Sequence, residues 1–202
     1  MALLSSLTRT LATLAVASTV FGAHPIASAQ TLSPDLQARL QTCAACHGAG
    51  GQSVLPNIPS LAGQPRVFLE NQLVVIREGL RDIPAMKGLL DGVSDADLTA
   101  MADYFASTPI KPAPGAKDAA RFARGQQVAD GSRCASCHLP SYAGREQMPR
   151  LAGQREDYLL HSMRQFQRNQ AVGRDTIMAA SLYGIADEDV AAMAHYFAHL
   201  AP

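Results

Sequence analysis

Cys43-Ala44-Ala45-Cys46-His47 and Cys134-Ala135-Ser136-Cys137-His138 use all four cysteines of this 202-residue chain. In each, two thiols three positions apart stand just before a histidine. That spacing attaches a haem: the thiols bond its vinyl groups, and the histidine is delivered beneath the ring as an iron ligand. Competing readings do less well. One zinc shared by two Cys-x-x-Cys pairs needs ribbon spacing, far shorter than the stretch from Cys46 to Cys134. A thioredoxin-like pair expects strand–helix alternation and gives no reason for a histidine to follow twice. A disulfide inside each pair would close only a tiny loop. The motifs therefore predict two covalently bound haem c groups, on Cys43 with Cys46 and on Cys134 with Cys137, with His47 and His138 as axial ligands.

The compartment agrees with that chemistry. Residues 1–29 carry Arg9 as their only charge, run apolar from Leu11 to Gly22, and end in Ala27-Ser28-Ala29. This reads as an exported signal peptide cleaved after Ala29, because the apolar run is too short for the roughly 20 residues of a membrane span. The expected location is the periplasm. Removing Arg9 leaves 16 basic (17 minus 1) against 17 acidic residues, a net of −1. That balance gives no attraction to nucleic acid or to an anionic membrane surface. Tryptophan is absent and aromatics are few, so buried porphyrin would add much to the core.

The duplication extends well past the cysteines. Ile58-Pro59-Ser60-Leu61-Ala62-Gly63-Gln64 returns as Met148-Pro149-Arg150-Leu151-Ala152-Gly153-Gln154. Met101-Ala102-Asp103-Tyr104-Phe105-Ala106 returns as Met193-Ala194-His195-Tyr196-Phe197-Ala198. One unit has been used twice. Residues 30–108 form the first unit and 116–202 the second. The Pro-rich stretch 109–115 is the linker, extended and fairly stiff.

Within each unit the pattern is helical and no segment alternates as a strand would. Ser33 and Pro34 start a helix that carries Leu36 and Leu40 toward Cys43; its twin covers about Ala116 to Ala129. A second helix places Leu69, Leu73, Ile76 and Leu80 on one face, mirrored by Leu159, Met163 and Phe166. A last helix, with Ser94 and Asp97 at its start, carries Leu98, Met101 and Phe105; its twin starts near Asp187 with Val190, Met193 and Phe197.

Methionine opposite histidine is a common second axial ligand and raises the iron's potential. A ligand needed twice should occur in both copies, which sets aside Met148 (aligned with Ile58) and Met163 (aligned with Leu73). Of the two surviving pairs, Met101 and Met193 lie mid-helix on apolar stripes. Met86 and Met178 lie in segments ahead of the last helix, 39 residues after His47 and 40 after His138. They are the predicted ligands. His161, His195 and His199 have no duplicate and read as surface or packing residues. Pro59 and Pro149 follow their histidines closely enough for a carbonyl to take the second ring N–H, or simply to form a rigid turn.

On these motifs the chain resembles the dihaem cytochromes c of the cytochrome c-four type. The likeness covers essentially the whole mature chain: the paired CxxCH motifs, the paired Pro-x-Leu-Ala-Gly-Gln segments, the late methionines and the closing Tyr-Phe-Ala helices. It implies an all-α protein of two tandem class I cytochrome c domains that carries electrons and is not an enzyme. It implies Cys43, Cys46, His47 and Met86 for one haem, and Cys134, Cys137, His138 and Met178 for the other. Implied partners are a donor such as a cytochrome bc complex and an acceptor such as a terminal oxidase, with loose membrane association in some members. An alternative role is the haem-bearing subunit of a periplasmic dehydrogenase complex. Copy two departs from copy one in having Leu139-Pro140 where copy one has Gly48, so the loop beside its haem is expected to differ.

Overall fold

The computed structural model describes residues 32–112 and 115–201; the leader assigned to residues 1–29 and part of the linker lie outside them. Helix α1, Pro34–His47, starts where the Ser33 hydroxyl accepts the Leu36 N–H at 3.2 Å and Pro34 presets φ for the first turn. It runs unbroken through the first cysteine motif. Helix α2, Arg66–Arg77, leaves the Leu-Ala-Gly-Gln turn. Helix α3, Asp95–Ser107, is capped by the Ser94 hydroxyl, which accepts the Asp97 N–H at 3.1 Å. Copy two contributes α4 (Ala119–Gly131), α5 (Ala135–His138), α6 (Glu156–Gln167), α7 (Thr176–Leu182) and α8 (Asp187–Ala198). Among the described residues there is no strand, only one isolated bridge between Arg145 and Met148.

Three details differ from the sequence reading. The twin of α1 begins at Ala119, because the Asp118 carboxylate accepts the Arg121 N–H at 2.9 Å and caps it there. It then stops at Gly131, and Arg133 turns to φ 57°, so the second cysteine motif sits on a separate short turn. Leu80 is 61 % exposed, because α2 ends at Arg77 and Gly79, at φ 68°, carries the chain off the apolar stripe.

Each copy builds its own apolar core. In copy one Leu36, Leu40, Leu69, Leu73, Leu98, Met101 and Phe105 pack together. In copy two Leu159, Met163, Val190, Met193 and Phe197 do the same, joined by Tyr142 and Tyr196. Each such side chain, fully withdrawn from water, contributes about 1.5–3 kcal/mol. Helix α8 is the most enclosed element, with every residue from Ala192 to Ala198 buried. Its crossing with α4 is close: a Cβ built on Gly125 would lie 2.1 Å from the Ala192 carbonyl oxygen. Glycine is what permits that approach.

The joint between the copies is a reciprocal pair of side-chain amides. Gln64 Nε2 donates to the Arg150 carbonyl (3.0 Å) while its Oε1 accepts the Arg150 N–H (2.9 Å). Gln154 does the same to Ser60, at 2.8 and 2.9 Å. All four residues are buried, so these bonds satisfy backbone groups that water cannot reach. The repeated Pro-x-Leu-Ala-Gly-Gln segment is thus the interface itself.

Candidate functional site

Both cysteine motifs open onto one continuous cavity of about 1290 Å³. A single drug-sized ligand occupies a pocket of about 300–1,000 Å³, so this one is large for one small molecule. Cys43, Cys46 and His47 line it from copy one; Cys134, Cys137 and His138 line it from copy two. None of the four cysteines is in a disulfide. Burial pushes the thiols of Cys43 and Cys134 above their usual pKa, while Cys46 and Cys137 are exposed. Each motif therefore presents one thiol from within the wall and one from its rim.

The two histidines are oriented alike. His47 Nδ1 lies 2.9 Å from the Pro59 carbonyl, and His138 Nδ1 lies 2.9 Å from the Pro149 carbonyl. A carbonyl oxygen only accepts, so Nδ1 carries the proton in both rings and Nε2 keeps its lone pair. Burial holds both imidazoles below the ordinary histidine pKa, opposed in part by the proline carbonyl. The neutral ring with a free Nε2 is the form that binds iron, and the carbonyl fixes its rotation. The functional alternative for Pro59 and Pro149 is the one the structure contains.

All six methionines outside the leader line the cavity, and they differ in burial and setting. Met101 and Met193 are about 1 % and 0 % exposed and sit mid-helix in the two cores, although each also touches the cavity wall. Met86 and Met178 are half-buried and line the cavity. Met86 ends a single turn of 3-10 helix, Pro84–Met86. Met178 is different in kind: it lies inside α7, whose start is capped by the Asp175 carboxylate accepting the Ile177 N–H at 2.8 Å. The extra hydrogen-bonding residue at this position makes a helix where copy one has a loop.

The loop beside the second motif differs from the first as expected, with Ser141 at negative φ where Gly50 has φ 63° and a bridge between Arg145 and Met148, but it keeps two left-handed positions and their hydrogen bonds. Gly48 has φ 75°, ψ 164° and Leu139 has φ 70°, ψ 158°. Gly51 N–H donates to the Gly48 carbonyl (2.9 Å), and Tyr142 N–H donates to the Leu139 carbonyl (3.0 Å). The Gly51 and Tyr142 carbonyls then each accept two N–H groups, from Leu61 and Ala62 and from Leu151 and Ala152. Copy two holds this path with bulky residues in left-handed conformations that ordinarily favour glycine, at a cost of about 1–3 kcal/mol each. Pro140 offsets part of it by favouring a high ψ at Leu139.

Among the unduplicated histidines, His161 is exposed beside the cavity. Glu156, His195 and His199 form a group whose ligating atoms lie within 4.8 Å of one another. It is a structural pin. His195 Nδ1–H donates to Glu156 Oε2 (2.8 Å) and Nε2 accepts the Asp118 N–H (2.9 Å), so neither nitrogen has a lone pair to spare for a metal. No signal in the sequence marked His195 for this work, since its ring partners come from two other elements, the starts of α4 and α6.

The cavity fits two haem groups in the chemistry of its donors. It has two pairs of unbonded thiols, two imidazoles with Nε2 free, and several thioethers, of which Met86, Met148 and Met178 are half-buried. Residues 122–201 match the protein family described as Cytochrome c, and residues 37–105 match Cytochrome C oxidase, cbb3-type, subunit III. Cytochrome c4 of Pseudomonas aeruginosa is 36% identical over 170 residues, covering 79% of this chain and 84% of that protein. A thiosulfate dehydrogenase electron acceptor of Stutzerimonas stutzeri is 32% identical over 174 residues, 78% of each. Reduced recombinant cytochrome c4 from Pseudomonas stutzeri superposes with a TM-score of 0.76 at 30% identity, covering 83% of this chain and 97% of that one. The chain belongs to the cytochrome c4 family, whose fold is two tandem class I cytochrome c domains.

Proposed function

We propose that this chain is a periplasmic dihaem electron carrier, with haem c attached at Cys43 and Cys46 and at Cys134 and Cys137. His47 with Met86, and His138 with Met178, would hold the two irons. The observation that carries this reading is that both cysteine motifs line one cavity together with Met86 and Met178, the one duplicated pair of methionines that is half-buried there. Bound haem supplies an iron that takes one electron from a reduced redox protein and passes it to an oxidised one. The chain's residues do the tuning. Pro59 and Pro149 hold the imidazoles, and the thioethers with apolar walls favour the ferrous state. With an imidazole and a thioether committed to each iron, the protein would offer no open position to a substrate, which suits a carrier.

A second reading is favoured by the relatives named as thiosulfate dehydrogenase electron acceptors. On it, the electrons come from a dehydrogenase and not from a respiratory cytochrome complex. Near-neutral net charge suits transient docking on either route, with little long-range steering. Among the described residues no helix is long and apolar enough to cross a membrane. The test is a pyridine haemochrome assay with a ferric spectrum of the purified protein. Two haems per chain and a far-red ferric band that vanishes on reduction are expected; one haem per chain, or no such band, overturns the reading.

A further inference from the structure

Among the described residues six arginines meet a carboxylate and the others do not. Arg66, Arg77, Arg121, Arg124, Arg155 and Arg164 each lie within 4.0 Å of an aspartate or glutamate. Arg39, Arg133, Arg81, Arg150 and Arg174 line the cavity without an ion pair among the described residues, and of these Arg81, Arg150 and Arg174 are fixed by side-chain hydrogen bonds. The hydrogen bonds of these three go only to neutral oxygens. Arg150, 2 % exposed, donates to the carbonyls of Ala62 (2.8 Å), Gly63 (3.2 Å) and Ala152. Arg174 donates to Ser162 Oγ (2.8 Å) and Gln165 Oε1 (2.6 Å), and Arg81 donates to Gln72 Oε1.

A buried cation without an anion is expensive, by several kcal/mol before its hydrogen bonds offset part of the cost. The guanidinium of Arg150 shows the strain: burial alone lowers its pKa to about 10. Arg174 is also lowered to about 10, chiefly by burial, with Tyr158 opposing the shift and the charge of Arg81 adding to it. Two like charges drawn together at the wall of one cavity, with a third buried at the joint, ask for anions inside that cavity. Three carbonyl bonds also leave Arg150 N–H donors to spare, since a guanidinium has five. Haem brings carboxylates of its own, the propionates, and nothing else in the proposed contents of the cavity is anionic.

Resting on the dihaem reading above, we infer that Arg150, with Arg81 and Arg174, binds haem propionates at the joint and raises the reduction potential of the protein. Arg150 is the asymmetric member. It belongs to copy two, bonds carbonyls of copy one, and stands where copy one has the neutral Ser60. A fixed positive charge near an iron opposes the extra charge of the ferric state, the more so in a dry joint of low effective dielectric. Arg150 is thus a positioning and tuning residue that neither touches iron nor transfers an electron.

The test is a spectroelectrochemical titration of the holoprotein, after haemochrome analysis has established two haems per chain. That first step separates failure of this inference from failure of the dihaem reading. Arg150→Gln is expected to shift midpoint potential downward with the haem count and far-red ferric band unchanged, and Arg150→Lys is expected to restore most of the shift. Arg81→Gln combined with Arg174→Gln, away from the backbone carbonyls of the joint, is expected to act in the same direction and covers the case in which Arg150→Gln does not fold. Both midpoints unchanged in Arg150→Gln, or in the double variant, would overturn the inference. So would a shift in Arg150→Gln that Arg150→Lys leaves wholly uncorrected.

Discussion

Residues 47–51 and 138–142 share two left-handed positions and the same closing hydrogen bonds with different side chains, and part at the position between, where Gly50 has φ 63° and Ser141 a negative φ. Copy one uses Gly48 and Gly51 at φ 75° and 76°, whereas copy two uses Leu139 and Tyr142 at φ 70° and 55°. Upstream the copies diverge in the opposite sense. In copy one a single helix runs through the cysteine motif; in copy two it breaks after Gly131 and restarts at Ala135. The lesson concerns where the constraint lies. The loop must carry the histidine and then offer a carbonyl to the Leu-Ala segment of the interface, so its backbone is held even at a conformational cost. The approach to the cysteines tolerates a break.

The sharpest way to break this comparison is at the helix crossing that copy two relies on. Gly125→Ala is expected to destabilise the holoprotein by about 2–4 kcal/mol, because its Cβ would meet the Ala192 backbone, which cannot step aside. Gly131→Ala, with nothing within 4 Å, is the control and is expected to stabilise by about 0.5–1 kcal/mol. Urea unfolding midpoints of the two variants decide it. Equal shifts would mean that the crossing is not close.

Equivalent positions in the two loops should respond with opposite signs. Gly48→Ala puts a Cβ 2.0 Å from the Gln52 carbonyl oxygen at a positive φ and is expected to cost about 2–3 kcal/mol. Leu139→Gly relieves a residue held in glycine's region and is expected to gain up to about 1 kcal/mol after glycine's own entropy is counted. The same unfolding measurement checks both; loss of stability in Leu139→Gly would show that its side chain contributes more than its backbone costs. A smaller effect is expected at Tyr142, whose buried hydroxyl has no partner among the described residues and whose pKa is driven up by burial. Tyr142→Phe removes an unsatisfied group and should be neutral or stabilising by about 1 kcal/mol. A clear loss would reveal a hydrogen bond to that hydroxyl.

Much of this was legible in the residues. Cysteine spacing, the duplication and the helix periodicity were enough to give the fold, and they singled out residues that line the cavity. Ser33, Pro34 and Ser94 announced their helix ends because capping is local chemistry. The joint was not legible: Gln64 and Gln154 showed as repeated letters, but side-chain amides pairing with distant backbone leave no periodic trace. Arg150 was invisible for the same reason, as an isolated basic residue where its twin is serine. The helical setting of Met178 went unseen because Asp175 was not recognised as a cap. The left-handed Leu139 runs against local preference and is imposed by tertiary bonds.

In the proposed reading each of two irons would be held by one imidazole and one thioether. That coordination is tested most directly by Met86→Ala and Met178→Ala, made singly, with the ferric far-red absorbance and both midpoint potentials recorded. Each replacement is predicted to remove about half of that absorbance and to lower one midpoint while sparing the other. A variant at either methionine with unchanged absorbance and unchanged midpoints would contradict the account.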